Sequence, residues 1–188
     1  MKNQNKLDHF VIGASSLAEG VSYVQRTLGV DIPFGGEHKI MGTHNHLMQL
    51  GNEIFLEVIA VNRSAVPPDR PRWYGLDDPY VRSCIEKQPS LLAWVINTND
   101  LVSLTHRAEY SLGCAEPVSR GDLSWLFGLP TGGELIAGGI LPYAIEWQTD
   151  THPSHRMNDP GCRIEKFEIF HPCPTWLERA LGRLMHWG

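Results

Sequence analysis

Apolar positions in Leu7–Gly29 first alternate and then recur every three or four residues. Leu7, His9 and Val11 fall on one face of a strand and Phe10 and Ile12 on the other, while Leu17, Val21, Val24 and Leu28 make the stripe of a helix. Between them Gly13-Ala-Ser-Ser offers hydroxyls to cap the helix, and Gly29 ends it. Leu91–Gly113 repeats this plan at equal length with its apolar positions in register, predicting a strand over Leu91–Asn97 and a helix over Leu101–Leu112. Strands follow in both halves. The first half offers a short strand within Asp31–His38, then His44–Leu50 and Glu53–Val61 joined at Gly51-Asn52; the second offers Pro117–Arg120, Leu123–Leu129 and Leu141–Thr149, the last hairpin enlarged by the glycine-rich Thr131–Gly139. A unit too small to bury its own apolar face must pack against its copy, and their junction is where a ligand site forms.

The plan gives an α+β fold of paired βαβββ modules. The first module takes residues 1–65 and the second 91–150. Val66–Asp78 is rich in proline and charge, and with a short helix over Pro79–Lys87 it makes the 66–90 segment a linker. A third, shorter echo in Ile164–Gly182 predicts a strand and an amphipathic helix, so 151–188 is read as a strand-helix extension packed into the same globular unit.

Composition narrows the classes. The 188 residues carry a formal net charge of -5 with scattered basic residues, so neither nucleic acid nor an anionic membrane has an electrostatic reason to bind. MKNQNKLDHFVIG has no continuous apolar run of the secretory kind, and no later stretch approaches the roughly 18 apolar residues of a membrane span, so a cytoplasmic protein is expected. Cys84, Cys114, Cys162 and Cys173 are widely spaced and are expected as reduced thiols.

Laying Thr43–Leu50 over Asp122–Leu129, and Ile54–Ile59 over Tyr143–Gln148, sets Glu57 on Glu146. Each acid then sits inside an apolar strand, where an unpartnered carboxylate costs several kcal/mol. Each glutamate therefore requires a metal, a proton or a cation such as Arg72, Arg82 or Arg120.

Three stretches, LDHFVIG with its helix, GGEHKIMGTHNHLMQLGNEIFLEV and LPYAIEWQTDTHPS, resemble the vicinal oxygen chelate superfamily, the glyoxalase and bleomycin-resistance group, and within it the glyoxalase-like subgroup. The resemblance runs from Leu7 to about His155 and implies a cupped mixed sheet with a divalent metal on its inner wall. Carried over by position, it implies His9, Glu57 and Glu146 as ligands, the fourth place being Ala93, which cannot ligate. Zn, Ni, Mn or Fe would suit such a set. His38 also matches a subgroup position, as a further ligand or a general acid/base; a histidine beside a turn is the plainer reading.

His44 and His46 alternate with Asn45 on one strand, and the resemblance turns Asn45 and Thr43 toward the cavity as substrate contacts. Trp125 is the aromatic best placed to touch a ligand, and His152 reaches the rim, although Pro153 keeps His152 and His155 from forming a regular helical pair. The implied function is a metal-dependent lyase or isomerase acting on a small oxygenated metabolite, with Glu146 or His38 moving a proton. Dioxygenase chemistry ranks lower, and the alternative is metal-free sequestration of a small molecule. A homodimer is left open, because relatives assemble their modules within a chain or across a dimer.

Overall fold

Ser16 starts the first helix by accepting the Glu19 N–H, and Gly29, left-handed at φ 70°, stops it. The computed structural model describes residues 5–182 and Leu184. Its first module is β1 (Lys6–Gly13), α1 (Leu17–Leu28), β2 (Phe34–His38), β3 (Thr43–Gln49) and β4 (Phe55–Val61). After the proline-rich linker and α2 (Pro79–Lys87) the order recurs as β5 (Ser90–Asn97), α3 (Leu101–Arg107), β6 (Cys114–Arg120), β7 (Leu123–Leu129) and β8 (Tyr143–Trp147), and α4 (Pro174–Gly182) follows. Asp78 and Asp100 cap α2 and α3 with their carboxylates.

All eight strands join one sheet in the order β2-β3-β4-β1-β5-β8-β7-β6. The leading strands of the two modules, β1 and β5, pair antiparallel at its centre, with Phe10 opposite Trp94. Lys6 faces Asn97 as Gly13 faces Ser90, and Leu7 faces Ile96 as Ile12 faces Leu91, so exchanging the modules about Phe10 and Trp94 reproduces the ladder. Both strands bulge once, at the equivalent residues Asp8 and Leu92. The sheet curls into a nearly closed cup whose rims, β2 and β6, meet where the Arg120 side chain lies over Gly36. Helix α1 covers β3 and β4 from outside, and α3 covers β6, β7 and β8. Gly20 lets α1 approach, since a Cβ there would collide with Val58.

Two expectations need correction. Helix α3 ends at Arg107 because the chain turns extended at Ala108. Leaving the helix lets Leu112 enter the core and lets the Tyr110 hydroxyl donate to the Pro142 carbonyl at 3.0 Å. The strand expected from Ile164 is also absent: residues 163–166 are exposed, and 166–171 alternate exposed and partly buried positions but pair with no strand. The sheet's edges are β2 and β6, whereas this segment crosses the outer face of the central strands, Phe167 standing edge-on to Phe10 at 5.0 Å and to Trp94 at 5.1 Å. The helix expected after it is present as α4, burying Leu177, Ala180 and Leu181.

Among the described residues no helix is long and apolar enough to cross a membrane. Cys84, Cys114, Cys162 and Cys173 are all unpaired.

Removing the ring that closes the outer face tests this docking. Phe167→Ala is expected to cost about 2 kcal/mol, less than a fully buried phenylalanine, and to lower Tm by roughly 4–8 °C in thermal denaturation. A wild-type melting curve would detach the segment from the core.

Candidate functional site

Strand parity decides which side chains enter the cup. From β4 these include Phe55 and Glu57, from β3 Asn45 and Leu47, from β7 Trp125 and Phe127, and from β8 Ile145 and Trp147. Trp73 and Tyr74 enter from the linker, and Pro153 and Met157 close one end from the segment after β8. The cleft so formed is mostly aromatic on the side of the second module.

A chain of polar contacts runs along its wall. Asn45 Nδ2 donates to Glu57 Oε1 at 2.6 Å, while Asn45 Oδ1 accepts from Arg120 Nη1 at 3.1 Å. The same Nη1 lies 3.3 Å from His38 Nε2, and His38 Nδ1 is 3.2 Å from Thr43 Oγ1. Burial and the Arg120 charge bring the His38 pKa down to about 3, so its imidazole is neutral at physiological pH. Nε2 is thus an acceptor for Arg120 and Nδ1–H a donor to Thr43. Through this neutral ring His38 supports Arg120.

At the other end of the chain, His9 Nε2 faces Glu57 Oε2 at 3.8 Å and its ring stacks on Phe55 with centroids 4.4 Å apart. His9 Nδ1 is 2.5 Å from Asp8 Oδ1. Asp8 is completely buried and its Oδ2 accepts from Trp147 Nε1 at 2.9 Å, His152 Nε2 at 3.0 Å and Asn97 Nδ2 at 3.1 Å. Burial pushes the Asp8 pKa upward, but the hydrogen bonds and charges of His152 and His9 outweigh it and hold the carboxyl well below the usual carboxylate range. The bulge makes this possible, because it inserts Asp8 between Leu7 and His9 without a cross-strand partner of its own.

The expected ligand trio does not assemble. Glu146 shares the outer face of β8 with Ala144; its Oε2 accepts the Leu101 N–H of α3 at 2.7 Å and its Oε1 takes the Gln148 amide at 2.8 Å. The cause is a one-residue register difference between the halves. His38 opposite Thr43 and Arg120 opposite Leu123 close the equivalent hairpins, so Leu47 corresponds to Phe127. Leu47 pairs with Glu57 and Phe127 with Ile145, which puts Ile145 in the place of Glu57. A slip of one residue reverses every side chain of a strand.

A divalent ion at this wall would find His9 Nε2 and Glu57 as protein donors, with the Arg120 guanidinium beside them and Asp8 already saturated by four donors. Among the described residues no group of three or more His, Cys, Asp and Glu side chains is arranged to hold a metal. Two donors and a neighbouring cation do not fit the three-ligand centre that the resemblance implied.

The remaining predicted residues separate by face. Asn45, Thr43 and Trp125 are buried, Asn45 and Trp125 lining the cleft and Thr43 behind His38. His46 Nδ1 instead donates to the Ile32 carbonyl at 2.6 Å. His152 caps the turn Pro153–Arg156 and holds Asp8, while His155 points outward to Glu53. Of the arginines proposed as partners, Arg72 pairs with Asp77 at 2.6 Å and Arg120 reaches Glu57 through Asn45. Asp8 and Met157 were not anticipated from the sequence. Only Asp8 left a signal there, an acid beside His9 in an otherwise apolar strand.

Residues 7–185 match the family described as Glyoxalase-like domain. A hypothetical protein from Staphylococcus aureus superposes with a TM-score of 0.51 at 15% identity, covering 81% of this chain, which spans 62% of that one. Methylmalonyl-CoA epimerase from Mycobacterium tuberculosis gives a TM-score of 0.44 at 18% identity, with coverages of 75% and 85%. The first is a likeness of fold. None of the curated proteins compared with the sequence matches it.

The displaced His38 titration predicts an acid-sensitive fold. A histidine held neutral in the folded state, with its pKa moved from 6.5 to about 3, contributes stability above pH 6.5 that is lost as the pH falls toward 3. One such proton gives a slope of at most about 1.4 kcal/mol per pH unit. Below about pH 4 the Asp8 carboxylate adds its own loss, because its pKa is depressed relative to the unfolded chain. His38→Gln is expected to flatten the dependence of stability on pH between 6.5 and 4 in denaturant titrations; an unchanged slope would refute the assignment.

Proposed function

The chain belongs to the glyoxalase-like domain family, within the vicinal oxygen chelate superfamily, and from that premise we propose that it moves a proton on a small oxygenated metabolite bound in the cleft. The observation that carries this reading is the Asp8–His9–Glu57 array, a fully buried carboxylate fixing one imidazole nitrogen while the other faces a second carboxylate at 3.8 Å. Asp8 accepts from His9 Nδ1–H and fixes the ring, so Nε2 is the nitrogen that faces Glu57 and the cleft. Glu57, its Oε1 anchored by Asn45, is the base.

In the proposed step Glu57 Oε2 takes a proton from the carbon beside a substrate carbonyl. The C–H electron pair moves into the carbonyl, leaving an enolate oxygen, and His9 Nε2–H protonates that oxygen or the adjacent carbon. Proton return to Nε2 and proton loss from Glu57 reset the pair. Both groups act from one wall, so they serve a shift along one face of the substrate, as in isomerisation or enolisation, rather than inversion from opposite faces. Members of the superfamily often use a divalent metal; these residues supply the proton transfer themselves, and no step here passes through an ion.

A second reading, binding without turnover, has one observation in its favour: apart from Arg120, the second module contributes chiefly Trp125, Phe127, Ile145 and Trp147 to the cleft, which are apolar or aromatic. One experiment separates the two. Protein treated with a chelator and incubated with small 2-oxo acids and hydroxyketones in D2O is expected to exchange the α-hydrogen, followed by NMR. His9→Ala and Glu57→Gln should each lower the rate by about 10²–10⁴-fold. Absence of exchange with every ligand that binds would leave binding alone; exchange that vanished with the chelator and returned with a metal would replace the proposed step.

A further inference from the structure

Arg120 is a partly buried guanidinium whose two polar contacts are both uncharged, the Asn45 amide oxygen and the neutral His38 imidazole. Glu57 acts on it from beyond Asn45. With only neutral acceptors in direct contact, the cost of taking this cation partly out of water is offset only in part, by Glu57 beyond Asn45. Both contacts pass through Nη1, leaving the rest of the planar fork to meet a ligand, and a guanidinium fork matches the two oxygens of a carboxylate.

A second donor, on a residue that lines the cleft, lacks a partner. Trp73 lines the cavity and is 3% exposed, yet its buried Nε1 makes no hydrogen bond. A buried N–H left unpaired costs about 1–3 kcal/mol, a loss that an acceptor atom of a bound ligand would offset. His38 links the two donors: its ring stands edge-on to Trp73 with centroids 4.9 Å apart, and its Nε2 meets Arg120. Beyond them, Trp125 and Trp147 lie 5.3 Å apart, forming an aromatic wall.

From this arrangement we infer that the ligand of the cleft is a small carboxylic acid with an apolar or aromatic body, its carboxylate received by Arg120 and the Trp73 indole N–H and its body lying against Trp125 and Trp147. The inference rests on the cleft being the ligand site and adds the substrate class to the proton-transfer reading. Arg120 thereby positions the carbon next to the carboxylate-bearing end toward Glu57 and His9. The single guanidinium, with the Glu57 carboxylate close behind Asn45, suits a monoanion better than a phosphate.

Isothermal titration with matched acids and amides tests this directly, the probes being benzoate and phenylacetate against benzamide and phenylacetamide, with inorganic phosphate as a further arm. The acids are expected to bind at least ten-fold more tightly than their amides. Arg120→Gln should abolish that preference, Arg120→Lys should keep part of it because it retains the charge, and Trp73→Phe should weaken the acids several-fold while sparing the amides. Equal binding of acids and amides, no binding of either acid, tighter binding of phosphate, or a preference that survives in Arg120→Gln would each overturn the inference. Carboxylate preference without α-hydrogen exchange would remove the proton-transfer reading and leave this one standing, so the two failures are distinguishable.

Discussion

A carboxylate with no solvent exposure survives in a fold only if its surroundings replace water, and Asp8 is held by four donors drawn from distant parts of the chain. His9 is its neighbour on β1, Asn97 ends β5, Trp147 ends β8, and His152 begins the turn beyond it. These contacts tie both modules and the following segment to one point. They also fix the His9 ring, because an imidazole bonded through Nδ1 and stacked on Phe55 has little freedom left in its orientation. Removing one partner of a buried charge typically costs 3–5 kcal/mol, so structure and site depend on the same residue.

The architecture was legible because it is written in periodicity. Alternation in Leu7–Gly13 and helical spacing in Leu17–Leu28, repeated from Leu91, gave the leading strand and helix of each module, and their equal spacing placed His9 and Ala93 at equivalent positions of the central pair. The site was legible only in part. Glu57 and Asn45 were read on the inner face of their strands, but the face of Glu146 turned on a single residue of register, since the turn between β2 and β3 is longer than the one between β6 and β7. Period-two patterning cannot report such a difference when both faces of a strand are buried.

Asp8 was hidden for a related reason. A bulge breaks the alternation by which inward positions are recognised, and its occurrence follows from pairing with a strand more than 80 residues away. The segment after β8 eluded the reading because its alternating pattern is satisfied by packing across the sheet instead of by a ladder: Phe167 meets Phe10 and Trp94 without any strand partner. Alternation records burial on one side of an extended chain, and a strand is only one way of supplying it.

The meeting of His38 and Arg120 carries a further consequence. They occupy the same place in their respective modules, the final residue of the hairpin's first strand, and they touch across the pseudo-two-fold axis. In an assembly of two identical subunits that place would hold one residue type twice, so two arginines would repel and two imidazoles would leave the recess uncharged. Covalent fusion of the halves releases the position from symmetry. One copy can then keep a permanent cation while the other serves as its neutral rest, a polarity across the recess that no true dimer of a single module can encode.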